Sequence, residues 1–295
     1  MSVVEVAPVA PVVVGRTNRL FASSIRLRRT RVGVLLTVLL IGIAILGPYV
    51  APHDPNAFVG PPFAKPGNGL LLGTDQLGHD VFSRFLAGGR QILILSALST
   101  AIGVGLGALV GLSAAYSRGR LDEVLMRTMD VMLAVPQIIV ALIVMTTVGP
   151  EAWLIVATVG LTTMPRVARV LRGAAVSIVE RDFVASAEAL GESRLRILGA
   201  EILPNVTGPL VVETTLRLTY SVGLIASLAF LGFTPDPTAP DWGLMIHENV
   251  TALTIQPWGT LTPVFAIGLL TLGTGLIGDG LARASSGIDR TKAAT

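Results

Sequence analysis

An all-α integral membrane protein with six transmembrane helices is the fold class this sequence predicts, and three observations predict it. Of its 295 residues, 52% are hydrophobic and 14% charged, against about 25% charged in soluble domains. Mean hydropathy is +0.72. Apolar stretches fall at 32–51, 90–115, 122–148, 152–171, 208–232 and 260–281, each matching the roughly 20 helical residues that cross a hydrocarbon core. The third observation is where the arginines lie. Arg16, Arg19, Arg26, Arg28, Arg29 and Arg31 precede the first stretch. Arg118, Arg120, Arg166, Arg169, Arg172, Arg181, Arg194 and Arg196 flank the polar segments between later ones, and Arg283, Arg290 and Lys292 follow the last. The opposite side carries only Lys65, Arg84 and Arg90, and 233–258 carries no Lys or Arg. By the positive-inside rule both termini and the 172–207 segment face the cytoplasm.

Taken in order, 1–31 reads as a basic cytoplasmic tail, with 1–15 rich in Ala, Val and Pro and without amphipathic period. The span at 32–51 is longer than a signal-peptide apolar region and lacks a convincing small-residue cleavage site, so it reads as an uncleaved first transmembrane helix. An extracytoplasmic loop occupies 52–89. A five-helix core fills 90–281, containing the cytoplasmic loop 172–207, and a short cytoplasmic tail closes the chain at 282–295. The outer loops are stiff: 52–89 is rich in Pro and Gly, and the 234–243 loop holds Pro235, Pro237 and Pro240 beside Trp242. Trp258 stands where an interfacial aromatic anchor belongs. In the spans, Pro136 and Pro165 are expected to kink or open their helices, and Gly103, Gly105, Gly107 and Gly111 to permit close helix approach.

Several chemistries are excluded by pattern. There is no cysteine, hence no disulfide or thiol chemistry. His53, His79 and His247 have no metal-ligand spacing. The lysines Lys65 and Lys292 follow no glycine-rich phosphate loop, so an ATPase driving transport is another chain. No Gly-x-Ser-x-Gly elbow or His-Glu-x-x-His motif occurs. Ionisable residues inside spans are the usual markers of transport sites. Here Glu123, Arg127 and Asp130, spaced four and three apart, are expected to pair along one helix face, as are Glu213 and Arg217. Asp130 lies near the inner interface and Asp279 at the inner end of the last span. The central thirds of the spans hold no convincing buried carboxylate, which argues against a self-sufficient secondary transporter.

The most informative segment is 183–204. Phe183, Ala187 and Leu190 fall at helical spacing on one apolar face, while Glu188 and Glu192 lie off it. Gly191 is a natural helix stop. Ser193 is placed to cap a second short helix that ends before Pro204. A polar double helix between two spans suits docking onto a soluble partner. Arg194 and Arg196 serve either that partner's acidic groups or the lipid headgroups.

Motifs along 72–281 then resemble those of the inner-membrane permeases of ATP-binding-cassette importers of the dipeptide/oligopeptide/nickel family, and more narrowly the second, C-type permease. They are LGTDQLGHDVFSR (72–84), LDEVLMRTMDVMLAVP (121–136), ARVLRG (168–173), ERDFVASAEALGES (180–193), ILPN (202–205), LAFLGF (228–233), DWG (241–243) and LIGDGL (276–281). The resemblance implies the type I importer permease fold. It also implies a cytoplasmic coupling loop, the EAA loop, seated in a cleft of an ATPase subunit. Phe183, Val184, Ala187, Ala189, Leu190, Gly191, Leu203 and Pro204 match its pattern, and Glu188, Arg194 and Arg196 supply charge around it. Ala185 replaces the usual leading glutamate, Glu201 replaces a histidine before Ile-Leu-Pro, and His79 replaces an arginine in the outer motif.

The implied function is uptake of di- or oligopeptides by alternating access, with nickel or another small solute as the alternative cargo of the same machinery. The implied partners are a second permease, two cytoplasmic ATPases, an extracytoplasmic substrate-binding protein and membrane lipid; nucleic acid is not among them. The chain itself is implied to be non-catalytic and to bind no cofactor, ATP and Mg²⁺ belonging to the ATPases. It is expected in the plasma (inner) membrane of a prokaryote.

Overall fold

The computed structural model describes residues 24, 25, 27–67 and 69–286. The expected tail at 1–15 and the last residues of the chain lie outside them. Among the described residues the fold is helical, with only isolated backbone bridges such as Phe58–His79 and Thr74–Asp80. Helix α1 (Arg28–Val50) is followed by α2 (Val81–Ala87), α3 (Gly89–Ser117), α4 (Arg120–Ala134), α5 (Gln137–Val148), α6 (Ala152–Val179) and α7 (Asp182–Ala189). A continuous helical run, α8 (Arg194–Phe230), then leads to α9 (Trp242–Asn249) and α10 (Trp258–Ser286). Five helical stretches are long and apolar enough to span a membrane, and six if the bent pair α4–α5 counts as one.

Prolines have opposite effects in two spans. The expected helix at 122–148 is broken between α4 and α5 by 76°. Val135, pushed out of the helical region by Pro136, is extended (φ −94°, ψ 127°), as the ring of a following proline requires. The expected kink at Pro165 does not open its helix: α6 runs unbroken through it, and Pro165 is buried. Packing on neighbouring helices holds α6 together there, the usual way transmembrane helices tolerate proline.

Helix α6 extends to Val179, so the first residues of the expected 172–207 loop are helix. The 52–89 loop contains α2, capped by Asp80, whose side chain accepts from the Phe82 and Ser83 amides. The largest helix pairing is α3 on α6, and glycine is its cause. A β-carbon on Gly103 would stand 2.8 Å from the Gly160 carbonyl oxygen, and one on Gly111 2.4 Å from that of Ala168. Gly107 is as crowded, by Val167 and Met164, whereas Gly105 faces open space and takes no part. Such small-residue contacts bring backbones within van der Waals range, which drives association where lipid removes the hydrophobic force.

Among the described residues, the two largest of four buried apolar clusters fill most of the bundle. One, around Leu40, Ile92, Leu95, Met145, Ile155, Trp242 and Leu270, lies toward α9. The other, around Leu112, Ala175, Ile178, Ile197 and Ile202, lies toward α7.

Candidate functional site

The segment at 183–204 forms a capped turn at one end of the bundle. Arg181, extended, precedes α7, and the helix closes in a Schellman motif. The Glu192 amide donates to the Ala187 carbonyl at 3.1 Å and the Gly191 amide to that of Glu188 at 3.0 Å. Gly191 supplies the left-handed residue, at φ 76°. Ser193 caps the next turn, its hydroxyl accepting from the Arg196 amide at 3.4 Å. Both predicted caps are present.

The second short helix does not stop before Pro204. Arg194–Arg196 passes into a π-helical stretch, Ile197–Ile202, then a 3-10 turn, Leu203–Val206, then Thr207–Phe230. Pro204 sits in the first turn of the 3-10 element, where its missing N–H costs least. The wide turn before it absorbs the register change.

The predicted apolar stripe divides. Val184 and Ala187 are buried against Leu112, Ala115, Ala175 and Ile178 on α3 and α6, with Phe183 half-buried at the edge. Leu190 is the helix's capping residue and does not continue the stripe: it is 82% exposed, and Leu195 across the turn is 80% exposed. Glu188, Arg194 and Arg196 are exposed too. Glu188 interacts with the Tyr116 hydroxyl at the end of α3, and Arg196 pairs with Glu192 at 3.1 Å. A shallow cleft of about 340 Å³ lies between Phe183, Leu190, Arg196, Ile197 and Glu201. The turn is thus anchored inward by small apolar residues and presents two leucines ringed by charge. Leu195 and Tyr116 were not singled out in the sequence. Leu195 lies two residues past the Ser193 cap, outside any helical stripe, and Tyr116 is more than sixty positions away.

At the opposite end, the two stiff loops lock together. The buried Arg84 guanidinium donates to Asp75 and, at 2.7 Å, to Glu248 on α9. His79, in place of the expected arginine, reaches the same Asp75 carboxylate at 3.2 Å. The Gln256 amide donates to the carbonyls of Leu72 and Thr74 at 2.6 and 3.1 Å. Trp242 donates its indole N–H to the Phe85 carbonyl at 2.9 Å and stacks on the Phe85 ring. Asp241 caps α9 through the amides of Gly243 and Leu244; its burial pushes its pKa up to about 6. Burial likewise raises that of Glu248, with Arg84 pulling the other way.

The charges within the spans pair partly as expected. Glu123–Arg127 (2.8 Å) and Glu213–Arg217 (2.9 Å) form i,i+4 pairs. Asp130 does not pair with Arg127: it accepts from Arg169 Nε at 2.9 Å, on α6. Asp122 accepts a two-pronged contact from Arg172 at 2.5 and 2.6 Å. The signal for these cross-helix pairs was the i, i+3, i+6 spacing of Arg166, Arg169 and Arg172, which puts three cations on one flank of a helix. Among the described residues no group of His, Cys, Asp and Glu is arranged to hold a metal ion.

Comparison with known proteins places this architecture. The family described as "Binding-protein-dependent transport system inner membrane component" matches residues 103–286. The chain is 33% identical over 256 residues to a di/tripeptide transport system permease of Pseudomonas aeruginosa, covering 84% of each chain. It is 35% identical over 257 residues to a putative peptide transport system permease of Brucella suis, covering 87% of this chain and 86% of the other. It is 34% identical over 249 residues to a glutathione transport system permease of Pectobacterium atrosepticum, covering 84% of this chain and 83% of the other. The chain belongs to the inner-membrane permease family of binding-protein-dependent ATP-binding-cassette importers: a multi-pass, non-catalytic plasma-membrane subunit whose ATP is hydrolysed by other chains.

Proposed function

We propose that this chain is one of two permeases of an importer for short peptides, moving its substrate inward by alternating access. The observation that carries the mechanical part is the exposure of Leu190 and Leu195 on a turn whose other face is bolted to α3 and α6. An isolated pair of exposed leucines ringed by Glu188, Glu192, Arg194 and Arg196 has the composition of a small docking patch, an apolar centre with a charged rim. Its occupant is an ATPase subunit, which holds the ATP and Mg²⁺. Closure of two ATPases then pulls on α7. Val184 and Ala187 pass the displacement to α3 and α6 as packed side chains, because close-packed interiors transmit strain.

The positive-inside arginines support placing this turn, and both termini, in the cytoplasm. The locked loops around Arg84 and Glu248 then face outward. They form a rigid platform for the substrate-binding protein. A second permease of similar fold covers the apolar flank of α4 and α5, where Val131 is 70% exposed.

Peptide is the proposed cargo because relatives named for di/tripeptide, peptide and glutathione transport cover more than four fifths of this chain. The test is to co-express the chain with its neighbouring transport genes, purify the assembly and reconstitute it in proteoliposomes. ATP-dependent uptake of a labelled dipeptide is expected. Recovery of the chain alone, with uptake that survives ATP depletion, would sink the importer reading.

A further inference from the structure

Along the flank where α6 meets α4 and α5, three arginines form a ladder of which two rungs are neutralised. Arg172 is held by Asp122 and Arg169 by Asp130. Arg166, the third, donates to the side-chain oxygen of Gln137 at 2.9 Å. That amide is fixed by Thr162 and Thr163, which accept from its nitrogen at 2.9 and 3.1 Å. Among the described residues, Arg166 has no carboxylate within ion-pair distance. An amide stands where the other rungs have an acid, at the 76° break between α4 and α5.

Depth makes this unusual. With the hydrocarbon layer taken to begin at Ala152, Arg166 lies 14 steps along α6, or about 21 Å at the helical rise, in the third of a layer of about 30 Å that is nearer α7. Arg166 is nonetheless exposed on the single chain. A charge at that depth does not face lipid: it faces a bundle interior, a water-filled cavity or a partner. Irregular backbone at membrane depth, such as Val135–Pro136, is likewise confined to protein-buried or water-lined positions.

We infer that Arg166, oriented by Gln137, Thr162 and Thr163, lines the water-filled translocation path and serves as the transient counter-cation for a carboxylate of the passing solute. The identity of that carboxylate, the C-terminus of a peptide, rests on the peptide reading above; the cation's place in the path does not. The amide at Gln137 suits the role. It holds the guanidinium by one hydrogen bond and leaves its charge unneutralised, so an arriving carboxylate gains a partner without displacing a resident one. A resident acid would make the site too stable to vacate and too neutral to attract. A single cation gives an attraction weak enough to release its load, which transit requires.

The absence of cysteine makes the test direct. Thr162→Cys is introduced into the complete transporter in proteoliposomes. It is treated with an anionic sulfonatoethyl or a cationic trimethylammonium-ethyl methanethiosulfonate, and modification is read on this chain by intact mass. The thiol is expected to react about tenfold faster with the anion, relative to a free thiol, as a focused positive potential dictates, and Arg166→Gln is expected to abolish that bias. No reaction at position 162, or a bias indifferent to Arg166→Gln, overturns the inference.

A second arm measures uptake of labelled dialanine. Gln137→Glu, which completes the third rung, is expected to lower uptake about tenfold while ATP hydrolysis and co-purification of the second permease persist. Unchanged uptake overturns the carboxylate role. Loss of the second permease on Arg166→Gln also overturns it, because the cation then pairs with a partner acid. A labelling bias in the Thr162→Cys transporter, together with a wild-type transporter that imports no dialanine, refutes the peptide reading and supports the cation's place in the path.

Discussion

Arg84 and Glu248, 164 positions apart, meet at 2.7 Å in a site where both side chains are more than nine-tenths buried. That contact joins the first extramembrane loop to α9 and shares its cation with Asp75. Arg84→Leu strands two buried carboxylates, so it is expected to cost about 3–5 kcal/mol and lower the unfolding midpoint of the detergent-purified chain by many degrees. Glu248→Gln leaves Arg84 its Asp75 partner and is expected to cost less than half as much. Equal effects in a thermal-unfolding assay would show that the triad does not act as one buried network.

Asp241 sets a pH dependence of the same region. Its pKa rises from 3.8 to about 6 on folding, burial being the largest cause. The native state therefore binds more protons than the unfolded state between those values, and stability falls as pH rises through them. Below about pH 4 the contribution is fully present; above about pH 6 it is gone. Glu248, raised in the same direction by burial, adds to the slope. Asp241→Asn keeps a side-chain oxygen to cap α9 and removes one titration, so the fall in thermal stability between pH 4 and 6 is expected to become shallower. An unaltered slope would assign it to other groups.

Glycines on one helix should separate by face. Gly111→Ala forces a methyl within 2.4 Å of the Ala168 carbonyl oxygen and is expected to part α3 from α6, lowering yield and thermal stability. Gly105→Ala meets nothing within 4 Å and is expected to gain up to about 1 kcal/mol of helix propensity. Fluorescence-detected size exclusion of the two variants at rising temperature checks the contrast.

What was legible in the sequence was what depends on near neighbours. The spans, the Gly191 and Ser193 caps, and the pairs Glu123–Arg127 and Glu213–Arg217 all follow from spacing within one helix. Contacts between helices did not follow. Asp130 had a partner at helical spacing in Arg127, yet it bonds Arg169, whose position depends on how α4 leans on α6. Pro136 and Pro165 carry the same local signal, and only packing separates a 76° break from an unbroken helix. In the 183–204 segment, the spacing of Phe183, Ala187 and Leu190 marked one stripe, but the helix ends at Ala189. Leu190 therefore turns outward with Leu195 while Val184 turns in.

That division predicts opposite failures for neighbouring substitutions. Val184→Asp buries a carboxylate among Leu112, Ala175 and Ile178 and is expected to abolish folding and membrane yield, because an unpaired buried charge costs several kcal/mol. Gly191→Val strains the left-handed position by about 1–2 kcal/mol and is expected to loosen the turn while the chain still folds. Proteolytic sensitivity at 190–193 reads the difference.

The most direct measurement is the ratio of peptide taken up to ATP hydrolysed by the reconstituted transporter carrying Leu190→Asp. Leu190 is 82% exposed, so the substitution leaves insertion and assembly of the bundle intact. If the exposed turn transmits ATPase closure, uptake falls at least about tenfold, a loss of only about 1.4 kcal/mol of coupling, while hydrolysis continues or the ATPases dissociate. Uptake and hydrolysis both at wild-type levels in Leu190→Asp would contradict the account.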